Sequence, residues 1–375
     1  MPRRIAALAV LATLLVAAAP GLGAPPRVSA PAYIVVNPAT GETLAQRAPD
    51  RELPMASTTK IMTALIVLER ADLDDRYTVP AEAVAIGGSS ARLVEGEELS
   101  VRDLLTGLLV ASGNDAAITL ADGLAGNQAA FVAMMNARAR ELGLAHTAFA
   151  NPPGLDAPGH HSSAADLVAL ARVAMRDPVF RELVASRQAS IPGPGGVGRR
   201  SLESENELLD IDPEADGVKT GMTDGAGYAL VAHARRSSLG VELYLASIGS
   251  PSSAIRARDG RTLLDDAFGH YARARLLSAG TTLGRAQVDG VPGRTIAYRP
   301  ASALDAPVRL GKPVSRTIVA PVEVSPPVRE GQVVGTITYR QGDDVIGRRD
   351  LVAAESAGSP GLLDRLRSGL EALIP

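Results

Sequence analysis

A serine and a lysine three residues apart, Ser57 and Lys60, have the chemistry of a nucleophile and its base. Apolar residues follow Lys60 at helical spacing, so both lie near the first turn of a predicted buried helix and share one face. A desolvated lysine can accept the serine proton, whereas arginine keeps its charge in proteins. The spacing therefore indicates nucleophilic catalysis. Alone, it also fits a helix-capping serine and a lysine that reaches solvent.

Lysine is rare in this chain, and that rarity favours the catalytic interpretation. Of the 38 lysine and arginine residues, only Lys60, Lys219 and Lys312 are lysines. Because arginine is used almost everywhere else, the remaining lysines mark positions where arginine does not serve. Lys219 opens Lys-Thr-Gly at 219–221, and Ser-Gly-Asn lies between the two lysines at 112–114. Taken singly, these tripeptides also fit a solvated strand and an ordinary turn between helices.

Composition excludes several classes of function. A net charge of −3 without a basic block argues against nucleic-acid binding. Aromatic residues make up 3% of the chain and tryptophan is absent, so stacking platforms for bases or sugars are not expected. Without cysteine there is no disulfide framework or thiol chemistry. The adjacent His160 and His161 lack further ligands at metal-site spacing and are interpreted as loop histidines, so we expect neither a metal nor a cofactor.

The first thirty residues have the features of a secretory leader. Arg3 and Arg4 precede an apolar run from Ile5 to Ala19, and small residues and prolines continue to Ala30. The run is short for a membrane span of about 20 residues. We expect residues 1–30 to lie outside the fold and to be removed. The mature protein would then act outside the cytoplasm, in the periplasm or cell envelope, where there is no ATP supply for nucleotide-driven chemistry.

Hydrophobic periodicity divides the rest of the chain into two folded regions and a tail. In residues 31–278, helical segments, a meander of three strands and a long final helix from Ser253 to Leu277 predict an α+β domain with an antiparallel sheet. Residues 279–355 alternate in short segments and predict a small all-β domain. Residues 356–375 predict a linker and an amphipathic helix. Its charges are balanced and it lacks aromatic residues, so peripheral membrane contact stays open.

The three motifs occur in an order that resembles the penicillin-recognising serine acyltransferases, which are penicillin-binding proteins and serine β-lactamases. The flanking residues are most similar to the low-molecular-mass D-alanyl-D-alanine carboxypeptidases, and the likeness runs from about Tyr33 to the end of the chain. Segments that carry it include Gly88-Ser89-Ser90, Ser112-Gly113-Asn114-Asp115, Gly154-Leu155-Asp156 and Gly217-Val218-Lys219-Thr220-Gly221. The resemblance implies a penicillin-binding/β-lactamase-like catalytic domain. It also implies peptidoglycan stem peptides ending in D-Ala-D-Ala as substrates, and acylation by β-lactam antibiotics.

The resemblance also implies three catalytic residues. Ser57 would attack the carbonyl of the penultimate D-alanine and form an acyl-enzyme. Lys60 would take its proton, and Ser112 would relay a proton to the leaving amine, with Lys60 as a second participant in that transfer. Water would then release the shortened peptide.

Five further residues are implied to bind the substrate. Asn114 would hold its peptide carbonyl. Lys219 and Thr220, with Gly221 completing the motif, would bind the terminal carboxylate through charge-assisted contacts. The backbone N–H of Met222 would form the oxyanion hole together with that of the nucleophile. Met222 departs from the family pattern, in which an aromatic residue or histidine is common.

Three alternative functions remain open. A D,D-endopeptidase is barely separated by sequence, although the β domain favours a carboxypeptidase. A β-lactamase needs a second base, commonly a glutamate near an asparagine. Glu203, Glu205 and Glu207 lie beside Asn206, but the resemblance gives them no such role. A non-catalytic wall-binding protein would be expected to carry a damaged motif, and all three motifs are intact.

Overall fold

The chain forms two compact units in its computed structural model, which describes residues 10–14 and 26–361. Of the described residues, the first unit comprises 26–237 and 241–269, and the second comprises 10–14, 238–240 and 270–361. Most of the predicted leader and the predicted tail helix lie outside the described residues.

Helices and a five-stranded sheet build the first unit. Its helices are α1 (Lys60–Arg70), α2 (Ala81–Ala85), α3 (Val101–Leu109), α4 (Asn114–Ala125), α5 (Gln128–Glu141), α6 (Ala164–Ala174), α7 (Pro178–Ala185), α8 (Leu208–Ile211) and α9 (Ser253–Phe268). Its strands are β2 (Ala32–Val36), β3 (Thr43–Arg47), β4 (Arg76–Thr78), β5 (Glu98–Ser100), β6 (Gln188–Pro192), β7 (Arg199–Glu203), β8 (Ala215–Thr223), β9 (Gly227–Arg236) and β10 (Val241–Ser250).

The main sheet has the strand order β3-β2-β10-β9-β8, with every neighbouring pair antiparallel. Strands β8, β9 and β10 form the predicted meander, and the long apolar stretches of β9 and β10 are buried because both are interior strands. β8 is the edge strand at the end opposite β3. It therefore presents the Lys-Thr-Gly motif at 219–221 on the rim of the sheet, and the predicted α+β architecture is confirmed.

The core of this unit surrounds α1. Every residue of α1 from Lys60 to Val67 is buried, as expected for a helix that is apolar on all sides. A 3-10 turn, Ala56–Thr59, precedes α1 and carries the serine. α1 packs against α3, α4, α5 and α6, so the lysine and the turn that carries the serine are anchored in the core of the unit.

The N-terminal boundary of the first unit corrects one expectation. Val28 and Ala30 are only 8% and 0% exposed, and the Ser29 N–H donates to Asp259 Oδ2 across 2.7 Å. The expectation that residues 1–30 all lie outside the fold is therefore wrong for residues 28–30. It is also wrong for Val10–Leu14, which pairs with a strand of the second unit. Short apolar side chains suit a leader cleavage region, but here they fill space in the folded unit.

The final helix is also shorter than predicted. It ends at Phe268 instead of Leu277, and Tyr271–Leu277 forms strand β11 of the second unit. The two ends of β11 are buried, while its interior residues alternate between exposed and half-buried. Because that segment has period-two burial, the division between the units falls between 269 and 270 and not after 278.

The described part of the second unit consists of strands, as predicted for a small β domain. They are β1 (Val10–Leu14), β11, β12 (Gly284–Val288), β13 (Thr295–Pro300), β14 (Leu304–Arg309), β15 (Val314–Val319), β16 (Glu323–Val324), β17 (Val333–Gln341) and β18 (Asp344–Ala353). β1, from the predicted leader, pairs antiparallel with β15 at one edge of the larger sheet. Of the helices in the described ranges, none has the length and apolar character needed to cross a bilayer.

Candidate active site

The serine and lysine of the first motif meet as their spacing predicts. Lys60 Nζ lies 2.8 Å from Ser57 Oγ, and the lysine side chain is 0% exposed. The 3-10 turn leaves Ser57 half-buried at the start of α1, so its hydroxyl faces the surface while the amine lies beneath it.

Two carbonyl oxygens fix the direction of the lysine amine. Lys60 Nζ also donates to Asn114 Oδ1 at 2.7 Å and to the Pro153 carbonyl at 2.8 Å. The Asn114 amide is oriented because its Nδ2 donates to the Gly87 carbonyl at 2.9 Å. Both oxygens bonded to Lys60 can only accept, so a neutral amine gives them its two hydrogens. The lone pair of that amine then faces the Ser57 hydroxyl.

Burial makes the neutral form of this amine accessible. Desolvation holds the pKa of Lys60 well below its usual value, and the positive charge of Lys219 lowers it further. The carboxylates of Glu205 and Asp115 oppose this shift. The site therefore contains a lysine that can act as a proton acceptor at moderate pH.

Ser112 is held in a backbone conformation that only a tightly packed loop maintains. Its φ of 57° is left-handed, which is uncommon for a residue other than glycine. The next residue, Gly113, has no space for a side chain, because a Cβ there would lie 2.5 Å from Asp115 Oδ1. The buried Asp115 carboxylate accepts N–H hydrogen bonds from Ala91 and Leu93, and so fastens the preceding loop to α4.

The second lysine lies against this serine. Lys219 Nζ donates to Ser112 Oγ at 2.9 Å and to the Thr220 carbonyl at 2.8 Å. Burial lowers the pKa of Lys219 to about 8, a shift that Glu205 opposes and Arg256 reinforces. At neutral pH this lysine is mainly an ammonium group next to Ser112. The structure therefore places Ser112 directly against Lys219, whereas Lys60 contacts Ser57 and Asn114.

The rest of the third motif forms one wall of the cleft. Thr220 is buried, and a Cβ on Gly221 would lie 2.7 Å from the backbone nitrogen of Ser57. Glycine is therefore needed for the close approach of β8 to the nucleophile. Met222 has a side chain that is 54% exposed at the rim. A cavity of about 320 Å³ opens beside Ser57, Gly221 and Met222.

Arg256 is a residue of the site that the sequence analysis missed. Arg256 lines the cavity, donates to the Glu205 carbonyl at 3.0 Å, and forms an ion pair with Glu207. The Glu205 carboxylate accepts a hydrogen bond from Ser89 Oγ at 3.0 Å. Arg256 had no local signal, because it lies in an amphipathic helix rich in arginine.

The loop Gly154-Leu155-Asp156 joins both walls of the cleft. It follows Pro153, whose carbonyl holds Lys60, and the Asp156 carboxylate accepts from Thr223 Oγ1 at 2.7 Å and from the Gly225 N–H at 2.9 Å. The loop thus fixes the β8–β9 turn relative to the lysine.

The two histidines have different environments. His160 lies in a loop, as expected, but it is buried at 4% exposure and its ring bonds inward to Thr59. His161 is half-buried and lies 3.6 Å from a carboxylate oxygen of Glu52. Among the described residues, no group of three or more potential ligands is arranged to hold a metal ion. The third lysine, Lys312, lies on an exposed turn of the second unit.

The chain is similar to known proteins over most of its length. A family profile described as D-alanyl-D-alanine carboxypeptidase, peptidase S11, matches residues 20–251. The D-alanyl-D-alanine carboxypeptidase DacD of Salmonella typhimurium is 34% identical over 359 residues, which is 91% of this chain and 90% of that protein. DacF of Bacillus subtilis, a carboxypeptidase of the same description, is 28% identical over 342 residues, 89% of this chain and 87% of that one.

The chain is also similar in structure to solved proteins. Penicillin binding protein 5 from Haemophilus influenzae superposes with a TM-score of 0.64 at 27% identity, covering 90% of this chain and 100% of that one. The Streptomyces K15 DD-transpeptidase superposes with a TM-score of 0.62 at 32% identity, covering 66% of this chain and 100% of that one.

Proposed function

We propose that Ser57 is the nucleophile of this chain, which belongs to the D-alanyl-D-alanine carboxypeptidase family, peptidase S11. The function that the family and the site support best is removal of the terminal D-alanine from peptidoglycan stem peptides. The observation that carries this conclusion is the 2.8 Å contact between Ser57 Oγ and a fully buried Lys60 whose other two acceptors are carbonyl oxygens.

Acylation begins with Lys60 as a neutral amine. Ser57 Oγ forms a bond to the carbonyl carbon of the penultimate D-alanine while its proton moves to Lys60 Nζ. The negative charge that develops on the carbonyl oxygen is stabilised by the N–H groups of Ser57 and Met222. Gly221 brings these two donors together, because any side chain there would push β8 away from Ser57.

Expulsion of D-alanine needs a proton on its amine. Ser112 Oγ accepts a hydrogen bond from Lys219, so its own hydrogen is free to point toward the leaving nitrogen. Ser112 gives that hydrogen to the leaving nitrogen and receives in its place the proton that Lys60 took from Ser57. A water molecule then attacks the ester, Lys60 takes the water proton, and Ser57 regains its hydrogen.

Residues of the edge strand β8 select substrates that have a free C-terminus. Lys219 as an ammonium group and Thr220 as a hydroxyl donor bind the terminal carboxylate. Asn114 supports the reaction by orienting Lys60, and its remaining N–H reaches the peptide carbonyl of the substrate. β-Lactams acylate Ser57 by the same attack and proton transfer. The peptide differs from the drug because it loses its leaving group, D-alanine, when the ester forms.

Two further activities of the same fold differ from the carboxypeptidase, one in how fast penicilloyl ester is hydrolysed and the other in the product released. A β-lactamase would hydrolyse its penicilloyl ester rapidly with the help of a second carboxylate. The two pocket candidates already have partners, since Glu207 pairs with Arg256 and Glu205 bonds to Ser89. A D,D-endopeptidase would release a cross-linked peptide instead of D-alanine.

The function is tested with purified protein and a peptide ending in D-Ala-D-Ala. We expect release of D-alanine and a long-lived adduct with fluorescent penicillin, both lost in Ser57→Ala. Absence of D-alanine release by a protein that binds penicillin would overturn the carboxypeptidase assignment, and rapid penicillin turnover would favour the β-lactamase. Release of cross-linked peptides without D-alanine would favour the endopeptidase, and no labelling at all would favour a non-catalytic wall-binding protein.

The flanking segments fit an enzyme that works outside the cytoplasm. The leader would be cleaved before Val28, since that residue is already buried in the first unit. The tail, residues 362–375, would supply peripheral contact with the membrane. Removing the tail and measuring the fraction of protein that sediments with membranes tests this contact separately from catalysis.

A further inference from the structure

The peptide unit between Ala56 and Ser57 has a hydrogen-bonded carbonyl at one end and the N–H of the nucleophile at the other. Its N–H belongs to the nucleophile and is one of the proposed oxyanion donors, while its carbonyl accepts a hydrogen bond from Thr59 Oγ1 at 2.8 Å. Ala56 has a left-handed φ of 51°. Because a peptide unit is planar, a partner that fixes the carbonyl also fixes the direction of the N–H.

The packing around this peptide unit leaves it little freedom. A Cβ on Gly154 would lie 2.1 Å from the Ala56 carbonyl oxygen, and a Cβ on Gly221 would lie 2.9 Å from the Ala56 side chain. The two glycines approach the peptide from the loop 151–156 and from β8. A small error in the direction of the carbonyl is therefore transmitted to the N–H of Ser57.

A histidine completes this arrangement. His160 Nε2 lies 2.9 Å from Thr59 Oγ1, and His160 Nδ1 accepts the Ala150 N–H at 3.0 Å. Because a backbone N–H occupies Nδ1, the proton of a neutral ring lies on Nε2. Thr59 gives its own hydrogen to Ala56, so it accepts the hydrogen of His160. The direction of every hydrogen bond is thereby determined.

The environment of the ring keeps it neutral. Burial lowers the pKa of His160 to about 4; the Asp156 carboxylate opposes this shift, and His161 reinforces it. A neutral ring retains both the acceptor for Ala150 and the donor for Thr59 throughout the range in which a wall enzyme works.

We propose that His160 is a positioning residue for the oxyanion hole. The chain of hydrogen bonds from His160 through Thr59 to the Ala56 carbonyl aims the Ser57 N–H and polarises it, because successive hydrogen bonds strengthen one another in a buried setting. This inference rests on the proposed acyl-enzyme mechanism and adds a residue that does not touch the substrate.

The test compares acylation by a chromogenic β-lactam in stopped-flow experiments. Thr59→Val keeps the shape of the side chain but removes both hydrogen bonds, and His160→Asn keeps an acceptor for Ala150 while removing the donor to Thr59. His161→Gln is the matched control, because that neighbouring ring faces Glu52 and not the nucleophile. We expect the first two variants to lower the acylation rate constant at least tenfold with an unchanged dissociation constant for the encounter complex. His161→Gln should retain the wild-type rate constant.

A purely structural role predicts a different pattern. It would lower the melting temperature and the fraction of protein that reacts, but the folded molecules would acylate at the wild-type rate. That result in His160→Asn would overturn the proposal even if Thr59→Val does not fold. A boronic acid that forms a tetrahedral adduct with Ser57 should lose affinity in parallel with the rate constant. Failure of the wild-type protein itself to acylate would instead reject the proposed function.

Discussion

Lys219 Nζ donates a hydrogen bond to Ser112 Oγ across 2.9 Å, although the two residues are 107 positions apart in the chain. This contact joins the edge strand β8 to the loop before α4, and it places the Lys219 amine next to the Ser112 hydroxyl. Two of the three motifs therefore act as one unit, with the Lys60–Ser57 pair on the other side of the cleft.

The pH dependence of hydrolysis follows from Lys219. Its pKa of about 8 means that the free enzyme loses the ammonium group as pH rises through that value. Binding of a substrate carboxylate weakens when this charge is lost, so kcat/KM should fall above about pH 8, while kcat falls at higher pH because bound carboxylate favours the charged form. Steady-state kinetics of D-alanine release measure both limbs. In Lys219→Arg the alkaline limb near pH 8 should disappear, and its persistence would assign the limb to another group.

Asn114 should control the charge on Lys60. Asn114→Asp places a carboxylate where Oδ1 now lies 2.7 Å from Lys60 Nζ. An adjacent negative charge favours the ammonium form and raises the pKa of Lys60, so the acidic limb of the acylation rate should move about one pH unit or more upward. Pre-steady-state acylation across the pH range measures this limb. A uniformly lower rate with an unmoved limb would show that Asn114 acts on the substrate alone.

Gly154 should be essential for the nucleophile and Gly159 should not. Both glycines have a left-handed φ, but a Cβ on Gly154 meets the Ala56 carbonyl at 2.1 Å, whereas a Cβ on Gly159 meets nothing within 4 Å. We expect Gly154→Ala to lower the free energy of unfolding by about 2–4 kcal/mol and acylation at least tenfold. Gly159→Ala should cost about 1 kcal/mol and leave acylation unchanged. Urea unfolding and penicillin labelling compare them, and equal losses would contradict the proposed close packing.

His160 should make the wild-type protein sensitive to acid. Its pKa is lowered from 6.5 to about 4, so the unfolded state binds the proton first as pH falls. The contribution of the neutral ring to the free energy of unfolding is fully present above pH 6.5 and is lost as pH falls through about 4. The contribution lost is about 3 kcal/mol. His160→Gln should lack this component, giving a shallower decline in unfolding free energy between pH 7 and pH 4. Parallel declines in the two proteins would indicate that the ring is not buried as a neutral group.

The sequence was sufficient to predict the contact between Ser57 and Lys60 and the general architecture. The interval of three residues determines that Ser57 and Lys60 share a helical face, and the scarcity of lysine distinguished Lys219 from a surface residue. Alternation of apolar residues identified the meander and the β domain. These features depend on local periodicity, which is present in the sequence itself.

The remaining contacts depend on tertiary structure. The Pro153 carbonyl that orients Lys60 is 93 residues away in sequence, and His160 is 101 residues from Thr59. A backbone carbonyl has no residue-type signal, and a buried histidine looks like a loop histidine until its partners are known. The segment 271–277 was interpreted as helix because its alanines and leucines also fit helical spacing, and its pairing with β14 decided the outcome.

The central claim is that Ser57 is activated by a lysine that can lose its charge, and one measurement tests it most directly. Intact-protein mass spectrometry follows the rate of penicilloyl adduct formation in the wild-type protein and in Lys60→Arg, with Ser57→Ala as the baseline. We expect the wild-type adduct to map to Ser57. Lys60→Arg should form the adduct with a rate constant reduced at least about 100-fold, because arginine stays protonated. Acylation of folded Lys60→Arg at the wild-type rate, or an adduct elsewhere than Ser57, would contradict the mechanism.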